Sequence, residues 1–400
     1  MSLTQAQTEF LNILYAVFSC GTLPEISDPL PVFRLAEGQE LLPQVYDAVR
    51  GAAELRIPAD VLTEVRREAT KQVVRHIAGT GDQFRIYASL RHEGLHPLVM
   101  KGALCAALYP VPRYRVTADL DLLVMESEFD ACHAVLCRCG LHPDCSEEAL
   151  HDDYEVSYIS ADRSVCIELH RSPFEREEAS LNAPFSGAFG QAQQTGELLT
   201  MPAGMHLLFL LLHAYKHFIY SGVGVRQVCD IGLWAREYGA QMDWQWLYDC
   251  CSEVRAEVFA ACLFRIAQQY VGIHFDLPDF WRDAATDCES LLLDMLEGGI
   301  YGSESLTRLH TASATVNAVK ASRRGESESG FIRTLFPNRR YIAEQYPYVR
   351  KHSFLLPVAW VERLFRYLSE VSTNDRSSAS GSVRLAKQRL QLLKDYKIIR

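Results

Sequence analysis

The chain has 400 residues, 48% apolar and 22% charged, an ordinary globular composition with length for a buried core and more than one domain. Its net charge of −10 argues against a broad basic surface for nucleic acid. The longest apolar stretch, "HLLFLLLHAYKHFIY", is broken by His213, Lys216 and His217 and is too short and polar to span a bilayer.

In chain order, the opening "MSLTQAQTEFLNILYAVFSC" has no basic leader, so a cytoplasmic protein with no membrane partner is expected. Residues 1–95 form a helical N-terminal region. "TQAQTEFLNILYAVF" has helix-period apolar residues, and 58–94 reads as two amphipathic helices joined near Gly79 and Gly81, stopped by Gly94. The pattern then changes. "LHPLVM" is a short strand, "KGALCAALYP" a turn into a helix, and "ADLDLLVM" a second strand. "SEFDACHAVLCRCG" is a helix with Ser127 at its N-cap. "YEVSYIS" and "SVCIELH" alternate as strands around the turn "ADRS", a hairpin. The order β-α-β-α-β-β within residues 96–200 describes a small mixed sheet with helices, and the fold class is α+β.

Residues 201–372 read as a helical C-terminal domain, with "DWQWLYDCCSEVRAEVFAACLFRIAQQYVG" helix-like and "KASRRGESESG" a polar loop. Residues 373–400 are a linker, "TNDRSSASGS", and a basic tail helix. That tail reads as a solvated helix end, with contact to RNA or an acidic partner as the other reading.

Two groups of side chains invite chemistry. Cys132, His133, Cys137, Cys139, His142 and Cys145 offer zinc donors, but their spacing matches no common zinc pattern and the segment reads as a helix. The second group starts with Asp119 and Asp121 at the head of an apolar strand. Residues i and i+2 of a strand share a face, so the two carboxylates project together and repel unless a cation lies between them. A divalent ion with substrate phosphates suits such a pair, although a capping or salt-bridged Asp would also explain it. Lys101 and Gly102 mark a strand-to-helix mouth where backbone and charge meet a phosphate, or a plain turn with a solvated lysine. Glu168 sits in a later strand, either beside the pair or on an exposed edge. Arg113 and Arg115 precede the pair and suit phosphate or the acids themselves. His170 shares Glu168's face as an acceptor contact or a core histidine. His213 and His217 share a helix face with Lys216 nearby, for phosphate or acceptor contacts or for packing. Arg226 and Asp230, four apart on a helix, read first as an ion pair with each other, with a place near the cleft also open.

Together, "LVMKGALCAALYPVPRYRVTADLDLLV" and "ELHRSPF" resemble an uncharacterised bacterial nucleotidyltransferase family of the DNA polymerase beta-like superfamily, whose pattern runs LKG, LY, R and then a D-x-D strand. "LLHAYKHF", "VRQVCDIGLW", "LFPNRRYIAEQYP" and "LLPVAWVERLFR" are similar to that family's helical parts. The resemblance implies a minimal nucleotidyltransferase sheet flanked by helical regions. It implies transfer of a nucleoside monophosphate from an NTP, ATP by default, to an acceptor hydroxyl with release of pyrophosphate. Asp119, Asp121 and Glu168 would be the catalytic, metal-holding trio for Mg2+ or Mn2+. Lys101, Gly102, Ala103, Arg113, Arg115, His170, His213, Lys216, His217 and Arg226 would face nucleotide or acceptor. The superfamily's turn has Gly followed by Gly or Ser, whereas this chain has Lys101-Gly102-Ala103, so Lys101 would take over part of the phosphate grip. The acceptor stays open among RNA, protein or peptide, and a small molecule. The other readings are a non-catalytic nucleotide- or partner-binding protein on the same fold, and a toxin-like enzyme modifying tRNA or protein.

Overall fold

A computed structural model describes residues 2–176, 178–220, 222–298 and 389–399. The chain forms two compact units, residues 1–214 with 224–300 and residues 215–223 with 301–400. "KASRRGESESG", "LFPNRRYIAEQYP", "LLPVAWVERLFR" and "TNDRSSASGS" lie outside the described residues.

The first unit opens with helices α1 (Gln5–Ser19), α2 (Pro29–Gly38) and α3 (Leu42–Val49). Thr4 caps α1 in a reciprocal box with Gln7. Helix α4 (Ala59–His92) then runs 34 residues without a break, where two helices were expected. Gly79 does not interrupt it. A Cβ there would meet the Ser164 carbonyl at 3.0 Å, so the glycine serves close packing against a neighbouring turn rather than helix termination.

The sheet follows. Its strands are β1 (Leu98–Val99), β2 (Asp119–Leu123), β3 (Leu141–Pro143), β4 (Glu155–Ser160), β5 (Cys166–His170), β6 (Gln193–Thr195) and β7 (Leu198–Thr200). Their order is β3-β4-β5-β2-β1-β7-β6. β2 pairs parallel with β5 and β1 parallel with β7, and the other neighbours are antiparallel. The expected mixed sheet is therefore present, widened by β3 and by the β6–β7 hairpin. The connections include α5 (Ala103–Ala106), α6 (Phe129–Arg138), α7 (Glu147–Asp152) and α8 (Ala179–Asn182). Ser127 lies in a 3-10 turn ahead of α6, which carries no side-chain cap.

Alternation divides the sheet chemically. Leu120, Leu122, Val156, Tyr158, Ile167 and Leu169 share one face by register and are all buried. Full burial of each apolar side chain contributes about 1.5–3 kcal/mol, which fixes the register against a one-residue slip. The opposite face carries Asp119, Asp121, Glu155, Glu168 and His170.

Helices α9 (Ala203–Tyr220), α10 (Val225–Tyr238), α11 (Trp244–Glu253), α12 (Glu257–Gln269), α13 (Asp279–Ala284) and α14 (Glu289–Gly298) follow. The helix-like stretch from Asp243 to Gly272 forms α11 and α12, parted where Arg255 adopts a left-handed conformation with φ of 59°. Among the described residues no helix is long and apolar enough to cross a membrane. In the second unit, residues 389–395 are helical. Arg389 donates to the Phe218 carbonyl and is buried, as are Leu392, Leu393 and Tyr396. The described part of the basic tail is thus a packed element rather than a solvated helix end.

Candidate active site

The site is built on the head of β2 and the length of β5. Their parallel register sets Asp119 opposite Cys166, Asp121 opposite Glu168 and Leu123 opposite His170. Glu168 is therefore interior to the sheet, between β2 and β4, and not on an edge. Helix α4 steadies the strand ends. Gln83 Nε2 donates to the carbonyls of Ala118 at 3.2 Å and Cys166 at 3.0 Å, tying β2 to β5. The Thr117 N–H donates to His76 Nδ1 at 3.2 Å, and Thr117 Oγ1 donates to Asp119 Oδ1 at 3.0 Å. Burial lowers the pKa of His76, which favours the neutral ring that this acceptance needs. His76, Thr117 and Gln83 carry no motif in the sequence and were not anticipated.

Lys101 enters from the other side. The turn after β1 places Gly102 at φ 56° and ψ −102°, a conformation that only glycine adopts cheaply. The Lys101 ammonium then lies 3.1 Å from Asp121 Oδ1, 3.7 Å from Asp119 Oδ2 and 3.4 Å from His213 Nε2. The helix that follows, α5, is four residues long and leaves little dipole for a phosphate, so the charge at this mouth is chiefly Lys101.

His170 shares Asp121 Oδ1 with Lys101: its Nε2 sits 3.2 Å from that oxygen and 3.7 Å from Glu168 Oε2. Among the described residues, Asp121, Glu168 and His170 form the group whose donor atoms all lie within 4.8 Å of one another. This group differs from the expected trio: His170 joins it, while Asp119 lies at its rim on Thr117 and Lys101. Asp121 is 2% exposed, and its Oδ2 is buried without a hydrogen-bond partner. An ionised, unpartnered carboxylate oxygen beside a second carboxylate and an imidazole fits a divalent cation.

The electrostatics are tightly coupled. Burial works against the Lys101 ammonium, but Asp121, Asp119 and Glu168 outweigh it and hold it above its ordinary value. Burial likewise opposes the Asp121 carboxylate, and Lys101 and His170 outweigh it and hold it below its ordinary value. For Glu168 burial wins. Opposed by His170 and reinforced by Asp121 and Asp119, it pushes Glu168 up to about 7. Burial disfavours the His170 imidazolium, yet Asp121 and Glu168 more than compensate and raise it to about 9.

These shifts predict a pH dependence for the metal-free protein. His170 is raised from 6.5 to about 9, so its stabilising contribution is complete below 6.5 and lost as pH rises through 9. Glu168, raised from 4.5 to about 7, acts in the same direction, because the fold favours its protonated form. Stability from this cluster should therefore fall between about pH 5 and pH 9. Urea denaturation across that range should show the decline, and His170→Gln should flatten its upper half. An unchanged slope in the variant would contradict the assignment.

Two other anticipated residues, Arg115 and Arg226, make structural contacts away from the Asp pair. Arg115 does not reach the Asp pair. Its guanidinium is buried on Asp230 at 2.6 Å, and Tyr109 Oη donates to the same carboxylate at 2.8 Å. Arg226 does not pair with Asp230 either. It donates to the Val116 carbonyl at 2.8 Å and to Glu40. The segment that leads into β2 is thus tied to α10 twice, by its own Arg115 on Asp230 and by Arg226 of α10 on the Val116 carbonyl. Arg115→Met should cost about 3–5 kcal/mol by leaving the Asp230 charge buried and unpaired. Adding Asp230→Leu should recover part of that loss in a denaturation measurement. Arg113 is exposed, stacked over Tyr114. Ala103 is the first residue of α5. Lys216 and His217 belong to the second unit. In the cysteine-rich segment, Cys132 is buried in the core and His133 Nδ1 bonds Tyr158 Oη at 2.9 Å.

The model of a family described as uncharacterised nucleotidyltransferase matches residues 27–272, more than half of the chain. The chain belongs to this family. The match takes in the long helix α4, the whole sheet, and α9 to α12. No curated protein matches, and no solved structure does.

Proposed function

We propose that the protein transfers a nucleoside monophosphate from an NTP, ATP by default, to an acceptor hydroxyl and releases pyrophosphate. The observation that carries this reading is the parallel pairing of β2 and β5, which sets Asp121 against Glu168 beside Asp119 and Lys101 in a chain of this family. Asp119, Asp121 and Glu168 would hold Mg2+ or Mn2+, and bound ions of this kind neutralise the triphosphate and the leaving oxygen. Lys101 would turn its ammonium from the carboxylates to the triphosphate, replacing the grip of the superfamily's Gly-Ser turn. Gly102 lets backbone approach that phosphate without a Cβ in the way. Glu168, near neutral in pKa, would orient the acceptor hydroxyl and take its proton. The acceptor oxygen then bonds the α-phosphorus, the bond to the bridging oxygen breaks, and pyrophosphate leaves with the electron pair. The protein's share is positioning and charge neutralisation. His213 stands at Lys101 and would follow it to the phosphates. Arg113 would add an outer contact to nucleotide or acceptor.

The test is a screen of the four α-labelled NTPs with Mg2+ or Mn2+ against RNA, lysate protein and metabolite pools. Label transfer with pyrophosphate release supports the reading. Tight NTP binding in calorimetry without turnover on any pool would favour a non-catalytic nucleotide-binding role, for which Lys101 lodged among the carboxylates is the motivating observation. Growth arrest on expression, relieved by Asp119→Asn or Asp121→Asn, would instead mark a toxin-like enzyme.

A further inference from the structure

We infer that His170 is a direct metal ligand, completing an Asp121–Glu168–His170 site that takes a first-row transition dication in preference to Mg2+. The inference rests on the metal-dependent reading above and adds the identity of the third donor and the class of ion.

Three observations support it. First, the donors have the spacing of ligands to one ion. With bonds of about 2.0–2.2 Å, neighbouring donors on one small dication lie about 3–3.5 Å apart. His170 Nε2 is 3.2 Å from Asp121 Oδ1 and 3.7 Å from Glu168 Oε2. Second, the site has an unused acceptor: Asp121 Oδ2 is buried and makes no hydrogen bond. Third, the imidazole is backed from behind. Its Nδ1 has no hydrogen bond but faces Glu155 Oε2 at 3.6 Å, because the antiparallel register sets Glu155 opposite His170. A metal-bound histidine usually turns its other nitrogen to an outer carboxylate, which fixes the ring and raises its basicity. Here Nε2 faces the two inner carboxylates and Nδ1 the outer one. Imidazole favours transition ions, whereas Mg2+ favours an all-oxygen set. Glu155 would then be a positioning residue acting through His170.

The experiment uses the full chain, stripped of metal and without nucleotide, titrated with Mn2+ alone and then in competition with Mg2+. Binding is followed by loss of the free Mn2+ paramagnetic resonance signal. Pulsed resonance on the bound ion reports directly on a coordinated nitrogen. Nitrogen modulation in the parent is expected, absent from His170→Gln. The Mn2+-to-Mg2+ affinity ratio should fall about tenfold or more in that variant. Glu155→Gln is the second variant should His170→Gln fail to fold, as judged by circular dichroism. It should weaken Mn2+ about tenfold and leave Mg2+ nearly unchanged. Bound Mn2+ without nitrogen modulation, or an unchanged affinity ratio in the variants, overturns the His170 assignment while leaving the carboxylate site standing. Failure of the parent to bind either ion overturns both.

Discussion

Asp121→Asn is expected to lower nucleotide transfer by at least about a thousand-fold, or about 4 kcal/mol of transition-state stabilisation, while the protein still folds. The substitution keeps shape and one acceptor oxygen, so Lys101 and His170 keep a partner at 3.1 and 3.2 Å. It removes the negative charge and replaces the buried Oδ2 with a position that an NH2 group can occupy. An amide nitrogen cannot ligate a cation, so the loss should fall on catalysis. Asp119→Asn should also abolish transfer, with less effect on the fold, because its side chain is 29% exposed against 1% for Asp121. The readout is transfer of label from an α-32P NTP, with circular dichroism as the folding control. Activity within tenfold of the parent in either variant would remove these carboxylates from the mechanism.

The parts of this site that were legible in the sequence follow from periodicity. Alternation along "ADLDLLVM" and "CIELH" placed Asp119 with Asp121, and Glu168 with His170, on shared faces. Which strands pair, and in what register, is not written in either strand. It comes from burial of Leu120, Leu122, Ile167 and Leu169 on the other face, and only the fold sets Asp121 opposite Glu168. Glu155 was invisible for the same reason, since its nearness to His170 depends on the β4–β5 register. The β6–β7 hairpin did carry a signal: "QTGELLT" has a two-residue Gly-Glu loop with Gly196 at φ 59° between two short strands. Elsewhere local rules lost to tertiary contacts. The spacing of Arg226 and Asp230 suits a helical ion pair worth a few tenths of a kcal/mol, but a buried bidentate partner, Arg115, claims Asp230. Gly79 and Gly81 read as breakers, yet Gly79 is conditioned by the Ser164 carbonyl it packs against.

Lys101→Met is expected to destabilise the metal-free protein by about 3–5 kcal/mol, the cost of leaving buried charges uncompensated. The ammonium is the cation that touches both Asp119 and Asp121, with His170 also on Asp121, and Glu168 adds a third carboxylate to the same enclosure. Methionine has a similar length and fills the space, so the loss reports charge rather than a cavity. The parent and the variant should then respond differently to divalent ions. A bound ion stabilises by about 2.7 kcal/mol at a hundred times its Kd. The variant should gain more than the parent at equal Mg2+ or Mn2+, because in the parent Lys101 competes with the ion for Asp121. Urea denaturation in chelator and then in each ion measures both quantities. Equal midpoints in chelator would show that Lys101 does not neutralise the carboxylates. A larger ion-induced gain in the parent than in the variant would show that it helps the ion bind. Either outcome would remove Lys101 as the residue that, beside His170, balances this face of the sheet until a metal–nucleotide arrives.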